Sequence, residues 1–156
     1  MTRLALLTVL IVLSFPSPCT RGEGKGEGPV SQPTTSPRFD YLDIYLDPHG
    51  TPVAAYQFEL NVDPAAATIV GVEGGDHPAF KSAPYYDPAA LTRNRIIVAA
   101  FNTGSDLPNT KTRIARLHLR VTSPNPDYHL HLDTAAGADG RETKDAVISV
   151  ETGAKP

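Results

Sequence analysis

Residues 54–64 read AAYQFELNVDP. Ala54, Tyr56, Phe58, Leu60 and Val62 alternate with Gln57, Glu59 and Asn61, the period of two expected of a strand with one face in a core and the other in water. Asp63-Pro64 stops the run, because proline has no amide hydrogen to continue a ladder.

The same period recurs in short runs on either side. Upstream, Leu42, Ile44 and Leu46 alternate with Asp43, Tyr45 and Asp47 until the turn Pro48-His49-Gly50. Downstream, a turn at 65–67 leads into residues 69–72, which Gly74-Gly75 closes. Residues 76–94 hold three prolines and no sustained alternation, so they read as a long surface loop with one short edge strand. Residues 96–101 are almost continuously apolar, which requires burial on both faces or an exposed apolar patch. Farther on, Ile114, Leu117, Leu119 and Val121 oppose Arg116, His118 and Arg120, and the uneven step from 114 to 117 marks a bulge. Tyr128, Leu130 and Leu132 alternate with His129, His131 and Asp133, and residues 146–150 supply a last strand. No 3.6-residue period persists for a helix length, so the fold class is all-β, a sandwich or barrel of seven to nine strands. The predicted core contains Leu42, Ile44, Tyr56, Phe58, Leu60, Leu117, Leu119, Leu130 and Val150.

The first residues do not belong to that domain. Arg3 and the apolar run 4–13 have the layout of an export signal, too short to span a bilayer and ended by Pro16 and Pro18. Residues 1–19 are therefore expected to be a signal peptide. Cys19, the chain's single cysteine, leaves two readings open: a lipidation site on a membrane-tethered protein, or part of an ordinary cleavage site on a released one. Pro16 and Pro18 match a lipobox poorly, while the solitary cysteine followed by a spacer favours the tether. With one cysteine no disulfide forms within the chain. Residues 20–37, TRGEGKGEGPVSQPTTSP, read as a Gly/Pro linker that cannot bury enough apolar surface to offset its ordering entropy. Residues 38–152 are left as the sandwich domain.

Net charge is −3, and −4 once Arg3 is removed with the signal, with no cluster of like charge. That balance excludes a nucleic-acid partner, which needs a basic patch to neutralise phosphates. Catalytic patterns are missing too: there is no Gly-x-Ser-x-Gly or His-Glu-x-x-His, and no cysteine nucleophile in the domain. Asp43 and Asp47 lie about 13 Å apart along a strand, beyond a glycosidase pair. His129 and His131 share a strand face and begin a zinc or copper site, but two ligands do not complete one, and solvent-facing imidazoles on an amphipathic strand are the plainer account. Asp133, Asp139 and Asp145 offer oxygen ligands without a calcium-loop pattern, and Asp-Gly turn chemistry accounts for them. Neither a metal nor a cofactor is expected. Phe80, Tyr85 and Tyr86 cluster in the 76–94 loop, where they either cap the core or offer rings to a sugar or a protein.

The order of segments resembles a cohesin domain, in a group that shares its sandwich with certain carbohydrate-binding modules. The residues carrying it are AAYQFELNVDP (54–64) running at once into ATIVGVEGG (67–75), then RIIVAAF (95–101), RIARLHLRV (113–121) and HLDTAAGADG (131–140) before a final strand. The resemblance covers about residues 39–151. It implies a jelly-roll sandwich of about nine strands and a non-catalytic module that docks a protein, a dockerin in true cohesins, on the outer face of one sheet. Here that face would carry Gln57, Glu59, Asn61, the strand 95–101 with Ile97, and His129 and His131. Two alternatives stand beside it: a polysaccharide-binding module using Phe80, Tyr85 and Tyr86, and a structural envelope protein without a ligand. The place of the exposed aromatic and apolar patch separates them, a flat sheet face favouring protein and a row of rings favouring sugar. A membrane enters only through a lipid on Cys19.

Overall fold

The computed structural model describes residues 36–154; the signal, Cys19 and most of the linker lie outside the described residues. The described strands are β1 (Arg38–Asp47), β2 (Ala55–Val62), β3 (Ala67–Gly74), β4 (Tyr85–Tyr86), β5 (Arg95–Phe101), β6 (Thr112–Val121), β7 (Tyr128–Ala136) and β8 (Val147–Ala154). They form two four-stranded sheets, ordered β3-β6-β1-β8 and β4-β5-β2-β7, and every pairing is antiparallel. The protein is thus an all-β sandwich, with eight strands among the described residues where the resemblance implied about nine. β8 runs two residues beyond the expected boundary at 152.

The inner rows of the two sheets meet in one core. Leu42, Ile44 and Leu46 of β1, Tyr56, Phe58, Leu60 and Val62 of β2, Ile96 and Val98 of β5, and Leu117, Leu119 and Val121 of β6 are all buried. Leu130 and Val150, expected inside, are only half-buried: β7 and β8 are the edge strands of their sheets, so neighbours cover them on one side alone. The Tyr56 ring lies in the core and its hydroxyl donates to the Ile114 carbonyl at 2.9 Å, joining β2 to β6 across the sandwich. Burial pushes that phenol well above its ordinary pKa.

The uneven step in β6 is a bulge. Pairing with β1 jumps from Ile44–Ala115 to Tyr45–Arg113, so Ile114 and Ala115 are both buried. Pairing of β3 with β6 jumps from Ile69–Leu119 to Gly71–His118, which leaves Val70 unpaired and outward. The stretch 76–94 is more structured than the expected loop. His77 and Asp87 each cap a 3-10 turn, at Pro78–Phe80 and Pro88–Thr92, by accepting the amide of Ala79 or Ala89. Between the turns β4 pairs with β5.

Candidate docking face

The outer face of β4-β5-β2-β7 is set by register. Glu59 faces Ile97 of β5 on one side and His131 of β7 on the other; Asn61 lies between Arg95 and His129; Gln57 lies between Ala99 and Thr134; Ala55 lies between Phe101 and Ala136. The sequence-derived residues Gln57, Glu59, Asn61, Ile97, His129 and His131 therefore occupy neighbouring positions of one sheet face. Arg95, Ala99 and Phe101 share the face with Ile97, as a period of two along the strand 95–101 requires, and Ala55, which was not singled out, joins them.

Along β5 the face is apolar. Ile97 is 37% exposed and Phe101 63%, and the Phe101 ring stacks with Tyr85 of β4, itself 68% exposed, at 6.0 Å between centroids and 9° between planes. Along β2 and β7 the face is polar and cross-linked. Arg95 donates to Glu59, Asn61 Nδ2 donates to Glu59 Oε1 at 2.7 Å, and Gln57 Nε2 donates to Asp133 Oδ2 at 3.1 Å. The hydrogen bond from Arg95, aided by Asn61, lowers the Glu59 carboxyl to about 2 and keeps it charged at any ordinary pH. His129 and His131 stand at the rim, largely exposed, with Nε2 at 3.5 Å from Asp127 and 3.8 Å from Asp133.

The loop aromatics separate. Phe80 is buried and meets Tyr56 edge to face at 5.0 Å, so its ring belongs to the core and cannot stack on a ligand. Tyr86 packs half-buried against the same core. Of the three, Tyr85 alone is offered to solvent, and it belongs to the strip with Phe101. Among the described residues no group of three or more His, Cys, Asp or Glu side chains converges as metal ligands.

On the opposite face Arg116 is anchored: its Nε and Nη2 donate to Asp43 at 2.7 and 2.8 Å, Arg113 donates to the same carboxylate at 3.1 Å, and the Arg116 guanidinium lies 4.0 Å from the centre of the Tyr41 ring.

No family model matches the chain, and no curated protein matches it in sequence. Among solved structures it is similar to the seventh ScaB type I cohesin from Pseudobacteroides cellulosolvens, at 16% identity over 67% of this chain and 73% of that one, with a TM-score of 0.51. At that identity the likeness concerns the fold, a cohesin-like β-sandwich.

Proposed function

We propose that this protein is an extracytoplasmic, non-catalytic docking module of cohesin-like type that binds a protein partner, of the dockerin kind, through the outer face of β4-β5-β2-β7. The observation that carries the reading is the anatomy of that face: a flat strip of Tyr85, Ile97, Ala99 and Phe101 beside a rim of paired polar side chains. Apolar centre and polar rim are the arrangement of protein interfaces, in which aromatic anchors supply most of the binding energy. Rim groups already paired with one another are desolvated at lower cost than free charges. Export by residues 1–19, a linker through residue 37 and either release or a lipid on Cys19 would present the module outside the cytoplasm.

The test is capture of purified dockerin modules and of secreted proteins from the source organism by wild-type protein and by the Ile97→Asp, Phe101→Asp double variant. A stoichiometric partner held by wild type and lost by the folded double variant supports the reading. A partner held equally by both removes it.

A further inference from the structure

The outer face of β3-β6-β1-β8 carries a feature that the docking reading does not use. Phe39 of β1 is 67% exposed and Val70, pushed out by the β3 bulge, is 46% exposed. Between them the strand positions are His118 and, beside it on β3, Gly71, which has no side chain to fill the space. The result is an open trough of about 570 Å³ lined by Phe39, Tyr41, Val70, Gly71, Arg116 and His118, within the size range of small-ligand sites.

Its polar groups are held in place before any ligand arrives. Arg116 is fixed by two hydrogen bonds to the buried Asp43 and by the Tyr41 ring beneath it. His118 Nε2 lies 2.8 Å from Glu73, and Asp40 at the rim accepts from Arg38 at 2.8 Å. Arg116, His118 and Asp40 are each engaged by a neighbouring side chain, so the trough offers oriented hydrogen-bonding groups rather than an unpartnered charge to attract an ion. An exposed aromatic ring beside oriented donors and acceptors complements a ligand with apolar C–H faces and a rim of uncharged hydroxyls. We infer that the trough binds a neutral glycan, one sugar ring lying against Phe39 with its hydroxyls toward Arg116 and the His118–Glu73 pair. A protein partner would find here two separated apolar side chains rather than a continuous strip. The inference is independent of the docking reading, because the two sites are on opposite sheets.

Native affinity electrophoresis of the full chain in gels containing hydroxyethylcellulose, xyloglucan or galactomannan, with carboxymethylcellulose as the anionic comparison, tests it. At least one neutral polysaccharide should retard the wild type, and Phe39→Ala should weaken that retardation about tenfold, the scale of one lost aromatic contact. Gly71→Leu should also block it by filling the trough, since a Cβ at Gly71 meets nothing nearer than His118 at 3.8 Å and the substitution fits the fold. Phe101→Ala should leave retardation unchanged. The inference fails if no neutral polysaccharide retards the wild type, if Phe39→Ala and Gly71→Leu migrate as the wild type does, or if Phe101→Ala abolishes retardation and so moves the sugar to the other sheet.

Discussion

Asp43 sits on β1 among aromatic and basic neighbours and is buried, a position that disfavours a charged carboxylate. Burial alone would raise its pKa, but the hydrogen bonds from Arg116 and Arg113 outweigh it and hold the carboxyl below its ordinary value. Because the folded state then binds a proton less readily than the unfolded chain, Asp43 stabilises the fold above about pH 4, and that contribution disappears as pH falls through the lowered value. Asp76, bound by Arg113, acts in the same direction. Urea melts between neutral pH and pH 2 should therefore show a steep loss of stability in acid for wild type. For Asp43→Asn the curve should be lower at neutral pH and flatter in acid, and parallel curves would show that Asp43 contributes nothing to the acid response. Nothing in the alternation of residues 41–47 distinguishes Asp43 from Asp47. What separates them is the bulge in β6, which brings Arg113 and Arg116 to the same carboxylate, a consequence of pairing that a single strand does not display. The core is the opposite case. Phe58 is fully buried as its alternation required, and Phe58→Ala should cost about 3–5 kcal/mol in chemical denaturation. A loss under about half a kcal/mol would contradict its place in the core.

At the scale of elements, strands with one wet face were legible because burial imposes a period of two; their ends and partners were not. The bulge in β6 showed as an uneven apolar step, whereas that at Val70 did not, since Ile69, Val70 and Val72 form an apolar run, broken only by Gly71, that has no alternation to disturb. In the 76–94 stretch the prolines suggested irregular chain, and the caps His77 and Asp87 with Pro78 and Pro88 just behind them are the local signal that made two 3-10 turns instead. The first turn returns the chain against β3 and β6. Gly75 N donates to the Phe80 carbonyl at 2.7 Å and Asp76 N to the Arg113 carbonyl at 2.9 Å, and a Cβ at Gly75 would meet the Arg113 oxygen at 2.1 Å. Gly75→Ala should therefore force the backbones apart and cost about 1–3 kcal/mol, read as a lowered melting temperature with loss of amide protection at Asp76. Unchanged stability would mean that the two segments are not in contact.

For the whole molecule, the decisive arrangement is which sheet carries which strands. β1 and β8, the first and last described strands, are neighbours in one sheet, with Asp40 opposite Ala154. The described residues therefore begin and end on the sheet away from the strip of Tyr85, Ile97 and Phe101. The resemblance assigns binding to the face of Glu59 and His131, and register places the apolar run 96–101 beside Glu59. The aromatic content of the other face was not legible, because Phe39 and Tyr41 precede the alternating run 42–47 and fall in line with its outward row of Asp43 and Tyr45. The two faces make a controlled comparison possible, provided the control residue is chosen from the structure. Arg116→Glu is unsuitable, since it would set a second carboxylate against buried Asp43 and destabilise the domain whatever it did to binding. Arg120 is exposed on the same strand and serves instead. Arg120→Glu should leave partner capture within about twofold of wild type, as exposed charges distant from an interface do. Ile97→Asp should weaken capture about a hundredfold by placing a charge in the centre of the contact, with the melting temperature little changed because Ile97 is already partly in solvent. Surface plasmon resonance on the captured partner, with thermal melts of each variant, decides it: loss of binding in Arg120→Glu with retention in Ile97→Asp would place the interface on β3-β6-β1-β8.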